Sequence, residues 1–182
     1  VSLFPYERTD VMSIQEATQK SGWYITAFDL LDAWANTQGE GVVIAVLDTG
    51  CQLDHPDLVD NLLPGYNMVN PSEPPVDRLG HGTHVCGIMV ACNNDIGMVG
   101  VSHKAKVIPI KVLDDSGNGN MNTVAAGIRK AVELGVDLIS MSLGCPMPIP
   151  EVEKAIAEAD AKGIAVFCAA GNAGNTSEVF YP

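Results

Sequence analysis

What most constrains this chain is the alternation of short, unbroken apolar runs with segments of helical period. Four runs, Val42–Leu47, Val107–Leu113, Leu138–Leu143 and Ile164–Ala170, are rich in β-branched residues and lack polar alternation. Such runs are expected of strands covered on both faces. Pro109 sits inside the second run and argues against a central place for it, since proline cannot donate to a ladder. Between the runs the period changes. Ile25–Ala35 carries Phe28, Leu31 and Trp34 three apart, which predicts one helix. Val85, Ile88, Met89 and Cys92 share a face of a second helix, starting near Gly82. Val124, Ile128, Ala131 and Val132 line a third, capped by Asn122 or Thr123. Pro150 suits the first turn of a helix over Glu151–Ala161, which Lys162-Gly163 ends. Strands alternating with helices predict an α/β fold with a doubly wound, mainly parallel sheet and helices on both faces. The 182 residues fit one domain, and no internal repeat or linker divides them.

Charge narrows the possible partners. Acidic residues outnumber basic ones 22 to 10, for a net charge of −12. That field repels phosphate backbones and anionic lipid, so neither nucleic acid nor a membrane surface is expected as a partner. No apolar run reaches the roughly 18–20 residues that a membrane-spanning helix needs. The five cysteines, Cys51, Cys86, Cys92, Cys145 and Cys168, are odd in number, scattered and without a CxxC pair. They predict reduced thiols and a cytoplasmic location, with secretion as the alternative. No basic region followed by an apolar one opens the chain.

Ligands of open α/β sheets bind beyond the carboxyl ends of the strands. Here those ends carry Asp48-Thr49-Gly50, the loop Asp114–Gly119, Ser142-Leu143-Gly144 and Gly171-Asn172-Ala173-Gly174. Three weaker signals compete with them. Gly117-Asn118-Gly119 lacks the third glycine of a dinucleotide loop. His81 and His84 are spaced for zinc, but the glutamate of HExxH is missing, and His84 reads better as a packed core histidine. Asn175-Thr176-Ser177 fits a glycosylation sequon and reads better as a surface loop.

Taken together, Val46-Leu47-Asp48-Thr49-Gly50, His81-Gly82-Thr83-His84-Val85, Ser140-Met141-Ser142-Leu143-Gly144 and Ala169-Ala170-Gly171-Asn172 resemble, in order, blocks of the subtilisin-like serine proteases. The likeness runs from about residue 30 to the last residue. Leu3-Phe4-Pro5-Tyr6, Cys51 and Cys168 further resemble the intracellular branch, whose short leader occludes the active site. On that basis residues 1–25 are expected to form a leader and residues 26–182 the N-terminal part of a catalytic domain.

The residue chemistry agrees with this likeness. Asp48, ending a buried strand, can orient an imidazole, although alone it also reads as a turn or cap aspartate. His81, beside two glycines, suits a general base whose pKa lies near operating pH. Asn172, beyond a strand, can aim its amide at a developing oxyanion, although an Asn-Gly segment alone is also a common turn. The resemblance further implies that Gly117, Asn118, Gly119 and Ser142, Leu143, Gly144 sandwich an extended polypeptide substrate. Ala169, Ala170 and Gly171 would then line a roomy apolar pocket. Cys145 departs from the family, where a second glycine is common, and His103 replaces a frequent proline.

The resemblance also implies a structural calcium ion held by Asp57 and Asn94 side chains and the carbonyls of Cys92, Ile96 and Met98, a donor set suited to a hard cation. An Asn-rich turn is the alternative reading of that loop. The family's nucleophile block, Gly-Thr-Ser-Met-Ala-like, is absent, and Ser140, Ser142 and Ser177 are poor substitutes. A Val start and an end at Tyr181-Pro182 predict a fragment, a nicked chain or half of a split protein. Its partner would be the C-terminal part of the catalytic domain. The expected activity is endopeptidase, and the alternative is a non-catalytic peptide-binding or regulatory protein.

Overall fold

The computed structural model describes residues 19, 22–172, 174 and 180–182. Leu3-Phe4-Pro5-Tyr6 and Ser177 lie outside the described residues. Five strands form one parallel sheet: β1 (Val43–Asp48), β2 (Tyr66–Asn67), β3 (Lys106–Lys111), β4 (Leu138–Met141) and β5 (Ala165–Cys168). Their spatial order is β2-β3-β1-β4-β5, with β1 at the centre.

Side-chain alternation in β1 separates two cores. Ala45 and Leu47 pair in register with Ile108 and Ile110 of β3 and with Ile139 and Met141 of β4. This face is covered by α4 (Met121–Leu134) and α5 (Pro150–Asp160), through Val124, Ile128, Val152 and Ala155. Ile44 and Val46 point the other way and pack with Val107 against Cys86 and Val90 of α3 (His81–Val90). Helices therefore lie on both faces, as a doubly wound sheet requires. Each fully buried aliphatic side chain stabilises such a core by about 1.5–3 kcal/mol.

Pro109 does occupy an interior strand, paired with Val46. The backbone of odd-numbered β3 residues faces β2, as Leu63 N–H donating to the Val107 carbonyl at 2.8 Å shows. The donor that Pro109 lacks would thus point between the Leu62–Val107 bridge and the Tyr66–Ile110 pair, where β2 has not begun. Proline is harmless there.

The helices depart from expectation in phase and extent. Instead of one helix over Ile25–Ala35 there are two of five residues, α1 (Trp23–Ala27) and α2 (Leu30–Trp34), broken at Asp29 with φ of 50°. The break turns Ile25 and Leu30 inward against Val99 and leaves Phe28 and Leu31 exposed. In α3 the fully covered positions are Gly82, Cys86 and Val90, four apart, so Ile88 faces out and His84 is exposed rather than in the core. Strand β5 is only partly covered: Val166 is half-buried against the core beneath α5, whereas Ala165, Phe167 (60%) and Cys168 are exposed. All five cysteines are free, and four are buried.

The cap of α4 is Asn120, two or three residues earlier than expected, and its Oδ1 accepts from Asn122 N–H at 2.8 Å. Asn120→Ala should therefore cost about 1 kcal/mol in urea unfolding, and Asn122→Ala or Thr123→Ala much less. A larger loss at Asn122 would place the cap there.

Candidate active site

At the end of β1 the chain passes from buried strand into the carboxyl rim, carrying Asp48 with no solvent exposure. The Asp48 carbonyl accepts from Val112 and Leu113 N–H, which ties this exit to the end of β3. Across from it, Gly80 (φ of 98°) turns the backbone into α3, so that His81 is the first helical residue. The His81 ring meets Asp48 through Nδ1 and Oδ1 at 2.7 Å. A carboxylate oxygen only accepts, so Nδ1 carries the proton and the Nε2 lone pair is left as the free basic site. The imidazole side chain is 17% exposed and the carboxylate wholly covered.

This contact depends on Gly82. A Cβ on Gly82 would collide with the Gly50 carbonyl oxygen and crowd the Asp48 carboxylate. Its N–H donates to Thr49 Oγ1 at 3.0 Å, and Thr49 N–H donates to Asp48 Oδ1 at 2.7 Å. The other Asp48 oxygen, Oδ2, is buried without a partner among the described residues. The hydrogen bond to Asp48 raises the His81 pKa, burial opposes this, and the charges of Asp48 and Asp77 add to the rise.

The remaining predicted residues lie around the same rim. Asn172 stands beyond β5, two strands from β1, exposed, and follows Gly171 with φ of 92°. Ala169 is half-buried and Ala170 exposed. The loop at Gly117, Asn118 and Gly119 is pinned by Asp114, whose Oδ1 accepts from Ser116 N–H at 2.8 Å and Asn118 N–H at 3.0 Å. Gly117 has φ of 76°, which favours glycine. Ser142 is half-buried, and Leu143 and Gly144 are buried. Cys145 exchanges two backbone hydrogen bonds with Tyr181.

The predicted metal residues gather separately. Asp57 is buried, with Oδ2 accepting from Met98 N–H at 2.9 Å. Asn94 Oδ1 accepts from Ile96 N–H at 3.2 Å. Gln19, which sequence reading missed, donates through Nε2 to the Cys92 carbonyl at 2.7 Å. No spacing rule could have found it, because it lies 73 residues away. Among the described residues no three His, Cys, Asp or Glu side chains gather into a metal-binding group.

Residues 39–182 match the subtilase family. The chain is 46% identical over 157 residues to an intracellular serine protease of Paenibacillus polymyxa, covering 82% of this chain and 48% of that protein. It is 36% identical over 193 aligned residues to the major intracellular serine protease of Bacillus subtilis (strain 168), covering 100% of this chain and 59% of that protein. Thermitase of Thermoactinomyces vulgaris is 42% identical over 146 residues, covering 80% of this chain and 52% of its own length. The chain belongs to the subtilase family. It spans about half the length of the curated relatives it matches.

Just ahead of His81 stands a residue that motif reading passed over. Asp77 accepts hydrogen bonds from Thr49, Leu79, Gly80 and Thr83. Burial pushes its carboxyl up, but the bonds from Thr83, Gly80 and Thr49 outweigh this and hold it below the usual range. Its position four residues before His81 was the available signal.

The Asp48–His81 link has a testable pH signature. Because the folded His81 pKa lies above the unfolded one, its contribution to stability is present below about 6.5 and fades as pH rises through the folded value. The stability difference between the protein and its His81→Gln variant should shrink when urea unfolding is moved from about pH 6 to about pH 9. A constant or growing difference would mean that Asp48 does not favour the imidazolium.

Proposed function

We propose that this chain is the part of a serine endopeptidase that carries the acid and base of the triad. The observation that carries this reading is the 2.7 Å bond between a wholly buried carboxylate and an imidazole whose other nitrogen is left basic. Asp48 fixes the tautomer and stabilises the imidazolium that forms. His81 takes the proton of a serine hydroxyl as it attacks the peptide carbonyl, then returns it to the leaving amine. Asn172 donates to the oxyanion.

The serine comes from a segment outside residues 1–182. An uncovered apolar strip beside α3 supports this, with a hollow of about 490 Å³ lined by Ile88, Met89, Val101, Leu138 and Phe167. The polypeptide substrate runs between residues 117–119 and 142–144, with its side chain before the scissile bond over Ala169, Ala170 and Gly171. The pinned loop and the buried Leu143-Gly144 backbone favour this reading. Residues 1–25 form a leader, and the protein works in the cytoplasm. Two relatives named as intracellular, one of them aligned over the whole chain, and five free thiols support that reading.

Calcium fits the Asp57 loop. Asp57 Oδ1 is buried without a partner among the described residues, and burial raises the carboxyl's pKa against the opposing bonds from Met98 and Asn94. A cation there would satisfy the orphaned oxygen. Asp57 and Asn94 would hold it by side chains, and Cys92, Ile96 and Met98 by carbonyls, with Gln19 alongside. The ion would stiffen the loop and take no part in bond cleavage.

In the full-length protein a fluorophosphonate should label one serine outside residues 1–182, and His81→Ala or Asp48→Asn should abolish labelling. Asn172→Leu should cost about 3 kcal/mol in kcat/KM, the value established for one oxyanion donor in this family and taken over from it. Labelling that survives His81→Ala would refute the base, and a silent wild type would favour the peptide-binding alternative. Calcium should raise Tm in the wild type and not in an Asp57→Ala, Asn94→Ala variant. An equal rise in both would move the site elsewhere.

A further inference from the structure

The Asp48–His81 pair joins two elements that are far apart in sequence, and a third carboxylate stands where they meet. Asp77 Oδ1 accepts from Thr49 Oγ1 at 2.9 Å, Leu79 N–H at 3.0 Å and Gly80 N–H at 2.8 Å. Its Oδ2 accepts from Thr83 N–H at 2.8 Å and Thr83 Oγ1 at 2.6 Å. Thr49 follows Asp48, whereas Gly80 and Thr83 bracket His81. Thr49 Oγ1 also accepts from Gly82 N–H, so one hydroxyl passes the connection from Asp77 to the residue next to His81.

We propose that Asp77 is a positioning residue for the Asp48–His81 pair, tying the exit of β1 to the first turn of α3 and placing a second negative charge behind the imidazolium. The proposal rests on the endopeptidase reading for its kinetic consequence, and on geometry alone for its effect on His81.

Electrostatics gives the second charge a purpose. His81 is the first residue of a ten-residue helix, and a helix N-terminus disfavours a cation. A base that must become an imidazolium during each turnover is badly placed there unless carboxylates offset the dipole. Asp48 supplies one, from β1. Asp77 supplies the other and also satisfies N–H groups at the helix entry that would otherwise lack acceptors.

Other charges near Asp77 are accounted for. Arg78, beside it, pairs with Asp115 at 3.6 Å, and Lys111 of β3 also pairs with Asp115, at 2.9 Å. His55, Asp57 and His84 share with Asp77 a hollow of about 420 Å³ on the outer side of α3. Lys111 donates to the Thr49 carbonyl at 2.6 Å, so it steadies the same exit from beneath without neutralising Asp77 directly.

The test follows His81 in the full-length protein by its NMR titration and, separately, by kcat and KM on a peptide substrate. In Asp77→Asn the His81 midpoint should fall by roughly half a pH unit. The kcat should fall about tenfold or more with KM nearly unchanged, because the base is misplaced rather than the substrate lost. An unmoved midpoint or an unmoved kcat, with only a lower Tm, overturns the proposal and leaves Asp77 a structural residue. Should Asp77→Asn fail to fold, Thr49→Ser and Thr49→Val decide it. Serine keeps the hydroxyl link and should retain kcat, valine cuts it and should lose kcat, and a valine variant with wild-type kcat overturns the proposal. If the wild type hydrolyses nothing, the endopeptidase reading fails, and the Asp77→Asn titration of His81 still judges Asp77.

Discussion

Everything at this site depends on how closely the first turn of α3 approaches the exit of β1. That approach is possible because Gly82 has no side chain: any Cβ would meet the Gly50 carbonyl. Backbone against backbone cannot be relieved by rotating a side chain, so even alanine would push the helix away from the strand. A displacement of a few tenths of an ångström would lengthen the 2.7 Å bond between Asp48 and His81. Hydrogen-bond strength falls steeply with such lengthening, and the orientation of the ring falls with it. The local glycines are therefore part of the chemistry, although none of them could take part in a reaction.

The sheet makes this contact rigid. Strand β1 is paired on both sides, to β3 along its whole length and to β4 along most of it. Asp48 is thus delivered by a strand held on both sides, buried by residues whose alternation supplies two separate cores. A carboxylate wholly removed from water is costly unless it has strong partners. Here Thr49 N–H and the His81 ring both converge on Oδ1. The cost of burial is offset by interactions that grow stronger as the imidazole takes a proton, which is the property needed by a group that stabilises a transient cation.

Much of this architecture was legible in the sequence. Three of the four apolar runs became strands with covered faces, and the fourth, β5, was placed correctly but has only Val166 half-buried. Asp48 and His81 were legible because their neighbours, Thr49-Gly50 and Gly80-Gly82, are themselves demanded by the geometry. What escaped detection shares one physical cause, dependence on partners distant in sequence. The phase of α3 follows its packing on Val107 and Ile44, not its own apolar periodicity. His84 looked like a core residue because it sits among apolar neighbours, yet it lies half a turn from the buried stripe at Gly82, Cys86 and Val90. Pro109 looked disqualifying until the direction of its missing donor was known. Gln19 reaches the Cys92 carbonyl across 73 residues, and the bond from Thr49 to Asp77 spans 28, so the place of Asp77 four residues before His81 was the one local sign of it.

The same packing that fixes the acid and base leaves the α3 side of β5 uncovered and that of β4 only partly covered. Phe167 lies exposed on that side, and Leu138 meets the core beneath α3 only at its edge. Apolar surface of this kind, next to a helix whose first residue is a basic histidine, is energetically poised to receive another packed element. The arrangement separates two tasks. Residues buried within this chain set the tautomer and charge of His81, whereas, on the endopeptidase reading proposed above, the element that covers the bare strip supplies the group it deprotonates. On that reading the acid and base are positioned by β1, α3 and the Asp77 link between them, and docking against the strip adds the nucleophile without rearranging the pair.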